Sequence, residues 1–502
     1  MNATGGPTPI PLLGQEEERA LLAELTSRDY DTVLVVSDLH LGVGRDRSTH
    51  TYPITENFYA DDAFSGLLSR YEAASSLVVL NGDTFDCLRL TDVPGDADFD
   101  GWRALLARLD LRGPGVPLER AVSRTERKFG LRTDDYKSIW KLARILDGHD
   151  PWRQALASWV ANGGRLIFVK GNHDLELYWP PVRRLLRDRL VAADNEAGHA
   201  AATTRVGFAE GGFTLGNVYI EHGHQYERMT RVDGPPTLAG RRRGELRLPL
   251  GSFVNRYFIN RIERLDPFID NIKPVHQALL ALLRRRPLEL VRIYTGGWRF
   301  MLRALTRIGT LHGAASLMLL AALLVPVVVV PTIVLWLVSP EFRQLLLGWF
   351  PFLESGLVRW TGSVGGITFP ALLPYLLGVG GELLSEAGIL RNHDALAEGA
   401  VARLSEVFGA RDGPGPVYAV MGHTHCETVK RLPTGAGRAL YVNTGTWIGR
   451  WPLDRLDLAG KFVYSVARFS LGAGGTYVHD PLVWDDEARG VRPATILVPV
   501  AG

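Results

Sequence analysis

The sequence predicts an α/β fold, and three observations carry that reading. Short apolar runs rich in β-branched residues recur along the chain, helical stretches separate several of them, and each run ends abruptly in polar residues. In order, "TVLVV" runs into "SDLHLG", "LVVL" into "NGDTFD", "LIFV" into "KGNHD", "NVYI" into "EHGHQ", "VYAV" into "MGHTH" and "ALYV" into "NTGTW". The intervening "FSGLLSRYEAA" and "WRQALASWVANGG" read as helices. Strand and helix alternating in this way form α/β sheets, whose sites lie just beyond the carboxyl ends of the strands. All six polar bursts are therefore expected at one rim.

Composition sets the bounds. At 502 residues the chain exceeds one ordinary domain. Its 56 basic and 54 acidic residues give a net charge of only +2, so there is no global attraction to nucleic acid, and no nucleic-acid partner is expected. Cys87 and Cys426 are the only cysteines, which rules out a disulfide framework and a thiolate zinc site and favours a reducing compartment. The N-terminus lacks a basic start followed by an apolar core, so no signal peptide is expected.

The bursts supply Asp38, His40, Asp83, Asn172, His222, His423 and His425, a set of hard oxygen and imidazole donors suited to two divalent cations sharing one carboxylate. Each piece alone is common in loops. Together, burying so many polar side chains at one rim is costly unless ions satisfy them. With no thiolate in the set, Mn or Fe is favoured over Zn.

The motifs "DLH", "GDTFD", "GNHD", "HGH" and "GHTH", in this order, resemble the metallophosphoesterase (calcineurin-like phosphoesterase) superfamily over residues 30–230 and 415–450. The resemblance implies a four-layer α/β/β/α sandwich with two metals at one edge. It implies that Asp38, His40 and His425 hold the first metal, that Asp83 bridges, and that Asn172, His222 and His423 hold the second. His173 would stand over the leaving group.

The expected chemistry is hydrolysis of a phosphomonoester or pyrophosphate bond. His173, beside a ligand but not needed as one, is the candidate general acid, and Asp174 is read either as holding its other ring nitrogen or as an ordinary loop-capping carboxylate. Asn81 and Asp86 are read either as partners of ligands or as loop-capping groups. His224 is open between contacting substrate, bonding a ligand and lying on the surface. His149, His199, His276, His312 and His393 lack companions at ligand spacing and are expected to be ordinary surface or partly buried residues. Cys426 is read as a small packing residue.

Residues 1–240 and 383–502 would form the two parts of the phosphoesterase domain. Between them, 241–312 reads as a basic amphipathic helical insertion, and 313–382 as a membrane hairpin with uncharged spans at 314–338 and 361–381. The arginine-rich flank orients both ends of the hairpin to the cytoplasm. The expectation is a multi-pass protein of the inner membrane, if bacterial, with its catalytic domain in the cytoplasm and contact with an anionic membrane surface. The insertion resembles in placement that of the UDP-2,3-diacylglucosamine hydrolases, although those carry arginine where His173 stands. A phosphorylated, lipid-linked or membrane-proximal substrate is therefore favoured. A phosphatase for soluble nucleotides or phosphoproteins is the alternative, and a non-catalytic scaffold is disfavoured because no ligand is missing. Oligomeric state is not legible.

Overall fold

The computed structural model describes residues 10–265 almost without a break, scattered residues between 272 and 348, and most of 393–493. The chain divides into two compact units. One comprises Met1–Ser252, His393–Gly449 and Phe462–Gly502; the other comprises Phe253–Asn392 and Arg450–Lys461.

The first unit contains two sheets. The strands are β1 (Thr32–Val36), β2 (Ser76–Asn81), β3 (Arg165–Val169), β4 (Val206–Ala209), β5 (Phe213–Leu215) and β6 (Val218–Ile220). They continue, after β7 (Ile272–Lys273) of the second unit, with β8 (Val417–Met421), β9 (Thr428–Arg431) and β10 (Ala439–Asn443). Beyond β11 (Trp451–Pro452), which pairs with β7 inside the second unit, come β12 (Tyr464–Leu471), β13 (Tyr477–Asp485) and β14 (Gly490–Pro493). The larger sheet has the order β14-β13-β12-β1-β2-β3-β4 and the smaller β5-β6-β8-β10-β9. The six anticipated strands thus divide three and three: β1, β2 and β3 are parallel neighbours in one sheet, and β6, β8 and β10 in the other.

Side-chain alternation explains why these runs are apolar throughout. Val33, Val35, Leu77, Val79, Ile167 and Val169 share one core with Val218, Ile220, Tyr418, Val420 and Val442 of the smaller sheet. The intervening Leu34, Val36, Val78, Leu80, Leu166 and Phe168 face the other way, into a core with Phe64, Leu146, Trp152 and Leu185. Those four come from the helices Asp61–Leu68, Asp135–Gly148, Asp150–Ala161 and Pro180–Arg189. On the outer face of the smaller sheet, Tyr219, Ala419, Met421 and Tyr441 pack on Leu396, Ala400, Leu404 and Phe408 of the helix His393–Phe408. A strand covered on both faces has no polar side to alternate with.

The membrane-spanning region is corrected here. Among the described residues no helix is long and apolar enough to cross a membrane. The longest of these helices, His393–Phe408, has 16 residues, where a span needs about 20. The multi-pass location at the inner membrane goes with it. The stretches 314–338 and 361–381 on which both expectations were built lie outside the described residues. Of the basic insertion, the described part includes helical turns at Leu250–Val254 and Asn260–Ile262 with a π-helical stretch, Asn255–Ile259, between them.

Candidate metal centre

Each predicted ligand leaves a strand at its carboxyl end, and the backbone there is unusual. Asp38, His40, Asp83, His423 and His425 all have positive φ, between 49° and 69°, and they are five of the eight non-glycine residues that do so among the described residues. That conformation costs about 1–3 kcal/mol per residue and persists where surrounding structure enforces it, most often at functional sites. The turns are tight enough to demand neighbours without side chains: a Cβ at Gly82, itself at φ +82°, would collide with the His222 ring, and one at Gly422 with Ser37 and Asp38.

Three groups of donors result: Asp38 with His40 and His425, His40 with Asp83 and His173, and Asp83 with His222 and His423. Within each group the ligand atoms lie within 4.8 Å of one another. His40 Nε2 stands 3.1 Å from His425 Nε2, which is 3.2 Å from Asp38 Oδ1. His222 Nε2 stands 3.2 Å from Asp83 Oδ2, and His40 Nε2 is 3.9 Å from the same oxygen. Donors that share a cation at about 2.1 Å stand roughly 3–3.5 Å apart, so these spacings suit a metal ion.

The unpartnered atoms point the same way. Asp38 Oδ1, Asn172 Oδ1, His222 Nε2 and His423 Nδ1 are buried without a hydrogen bond. Each such atom costs about 1–3 kcal/mol unless something else satisfies it. Their opposite ends are tied down. Asp38 Oδ2 accepts from Ser37 Oγ at 2.6 Å and from His423 N at 2.8 Å. His222 Nδ1 donates to the Asn81 carbonyl at 2.8 Å, so the neutral ring keeps its proton on Nδ1 and offers the Nε2 lone pair to a cation. His40 Nδ1 meets Asp86 Oδ2 at 3.1 Å. The described residues therefore contain His and Asp groups positioned to hold metal.

Electrostatics agree. Burial opposes ionisation of Asp38 and Asp83, but the surrounding imidazoles outweigh it and hold both carboxyls well below the usual range. Burial likewise opposes charge on His40 and His222; the carboxylates around them win, raising His40 to about 10 and His222 to about 9. Without a cation the site fills with protons instead.

Two open readings narrow. Asp174 does not hold His173: its Oδ1 accepts from Gly171 N at 2.6 Å and its Oδ2 from Thr84 N at 2.8 Å, so it ties the two turns together. Burial, reinforced by Asp83, lifts it to about 7. The partner of His173 is Asp86, whose Oδ1 lies 3.0 Å from His173 Nδ1. His224 is not at the surface; it is buried, its ring centroid 5.4 Å from that of His222.

Asn81 contributes its carbonyl to His222, while its side-chain amide donates to the Glu221 carbonyl. "NTGTW" donates no metal ligand among the described groups. Thr446 Oγ1 donates to Asp38 O at 2.6 Å and Asn443 Nδ2 to Gly422 O at 2.6 Å, bracing the turns that do. His149 is fully buried, between Asp61 at 3.1 Å and Glu56 at 3.6 Å, rather than at the surface or partly buried. Glu227, which spacing did not single out, meets His423 Nε2 at 3.0 Å. Cys426 is half-buried.

No protein-family model matches this chain, and no curated protein matches it.

Proposed function

We propose that the chain is a metal-dependent hydrolase of phosphoric esters or pyrophosphates. One observation carries the reading: donors from five separate strand ends, those after β1, β2 and β8 in strained backbone, converge with bare inward atoms beside the paired His173 and Asp86. Asp38, His40 and His425, with Asp83 shared, would hold one divalent cation, and Asp83, Asn172, His222 and His423 a second. Mn or Fe suits this thiolate-free set better than Zn. Two such cations, once bound, supply a hydroxide near neutral pH and offset charge on the phosphoryl oxygens.

The remaining work falls to the chain's own groups. Asp86 accepts from His173 Nδ1, so the proton available to a leaving oxygen sits on His173 Nε2. His173, with 12% of its side chain exposed, is more open than the His40, His222 and His423 beside it, as a residue that meets substrate must be.

The site's chemistry asks for a phosphorylated substrate. Of the grounds for a lipid-linked substrate, the membrane spans are withdrawn, while the basic insertion remains a reason to include lipid-linked phosphates among those tested. The test is hydrolysis by the Mn-loaded full chain of nucleotides, sugar nucleotides, phosphoproteins, phospholipids and p-nitrophenyl phosphate. Metal-dependent turnover of any member supports the reading, and full metal loading with no turnover across the panel removes it.

A further inference from the structure

We infer that Glu227 is a positioning residue for the second cation, using its charge to make His423 a stronger ligand. This rests on the two-metal reading above.

The first observation is an inversion of ring orientation. His40 and His222 tie down Nδ1, to Asp86 and to the Asn81 carbonyl, and present Nε2 to the centre. His423 does the reverse: Nε2 meets Glu227 Oε2 at 3.0 Å and Thr230 Oγ1 at 3.3 Å, while Nδ1 is buried and bare.

The protons can be placed. Thr230 has one hydroxyl hydrogen, and it is directed to the His224 carbonyl at 2.8 Å, so toward His423 its oxygen can only accept. The Glu227 carboxylate also accepts. The His423 proton therefore lies on Nε2 and the lone pair on Nδ1, which is the form a cation requires.

The second ground is a charge imbalance that the two-cation reading implies. With Asp83 shared, the first cation would meet two carboxylates, Asp38 and Asp83, whereas the second would meet Asp83 alone, with Asn172, His222 and His423 neutral when they ligate. A carboxylate hydrogen-bonded to the outer nitrogen of His423 shifts electron density toward Nδ1 and adds negative charge where the inner ligands are short of it. The Glu227 N to His224 O bond closes a turn that begins two residues after His222, so "EHGHQYER" supplies a candidate ligand and the brace of another within one short stretch.

The test is Mn(II) binding to the full chain, read by equilibrium dialysis and by the electron paramagnetic resonance signal of a coupled Mn pair. Wild type should take up about two ions, with the coupled signal. Glu227→Gln keeps the size and an acceptor oxygen but loses the charge; it should bind the second ion about 10–100-fold more weakly, leave the first unchanged and lose the coupled signal. Glu227→Asp should restore much of the second affinity. Equal affinities in wild type and Glu227→Gln, or a parallel fall at both sites, overturns the role of Glu227 while leaving the two-metal reading intact. Fewer than two ions in wild type overturns the reading itself.

Discussion

Asp86 places Oδ1 3.0 Å from Nδ1 of His173, and its Oδ2 lies 3.1 Å from Nδ1 of His40. One carboxylate therefore orients both the candidate proton donor and a metal ligand, whose rings meet edge to face with centroids 4.6 Å apart. If His173 donates the proton, its donation and metal binding at His40 would be coupled through that residue, and substitutions on either side of it should separate the two.

His173→Ala should lower turnover by roughly 10²–10⁴-fold and leave metal content unchanged. The loss should be smaller on p-nitrophenyl phosphate, whose leaving group needs little proton assistance, than on an alkyl phosphate. Equal losses on both would remove the general-acid role.

Asp86→Ala should do more. It strips the outer partner from His40 as well, so the first cation should bind about 10–100-fold more weakly in addition to the kinetic loss. Metal analysis at limiting Mn checks this; a variant that retains full affinity would show that His40 needs no such support.

Asp83→Ala should abolish the paired site, because Asp83 belongs both to the group with His40 and to the group with His222 and His423. Elemental analysis after reconstitution in excess Mn should find the coupled pair gone, and retention of two ions would refute a bridging role.

The parallel strands were legible because each is apolar along its length and ends in a polar burst. Which three share a sheet was not, since β1 and β6 look alike in sequence and only long-range pairing separates them. Likewise the ligands follow from residue type at strand ends, whereas their outer partners do not. Asp86 and Asp174 are equally plausible neighbours of His173 in sequence, and the Gly171 and Thr84 amides, which claim Asp174, become visible only once the turns are folded. Glu227 is hidden for the same reason, its partner His423 lying far along the chain. The apolar stretches at 314–338 and 361–381, from whose length and hydropathy the spans were read, lie outside the described residues, and no helix among the described residues is long and apolar enough to cross a membrane.

Metal uptake should release protons. In the cation-free protein His40 is raised to about 10 and His222 to about 9, so at pH 8 both carry protons that a cation must displace. Calorimetric titrations of Mn at pH 8 in buffers of different ionisation enthalpy should differ by the equivalent of roughly two protons. Apparent affinity should rise with pH up to about 9–10. Heats independent of buffer would mean that the two imidazoles are already neutral.

The last prediction concerns stability away from the metals. His149 is buried between Asp61 and Glu56, and the Glu56 carboxylate also accepts from Gly44 N at 2.6 Å and Gly42 N at 3.2 Å, holding the loop that follows His40. Burial opposes charge on His149, but the two carboxylates raise it from 6.5 to about 9. A raised value stabilises the fold fully below the unfolded pKa and loses that contribution as pH climbs through the folded one, so the window here is pH 6.5 to about 9. At about 1.4 kcal/mol per unit, the shift corresponds to on the order of 3 kcal/mol. Glu56 works in the opposite sense: burial opposes its charge, but His149 and the backbone amides hold it below 4.5, and its contribution is lost only as pH falls through that lowered value. His149→Gln should therefore be markedly less stable than wild type in urea at pH 6 and nearly equal to it at pH 9.5. Comparing the two proteins cancels the titrations of the metal-site histidines, which both share. A stability gap of the same size at pH 6, 7.5 and 9.5 would mean that His149 is held neutral and that packing alone accounts for its place.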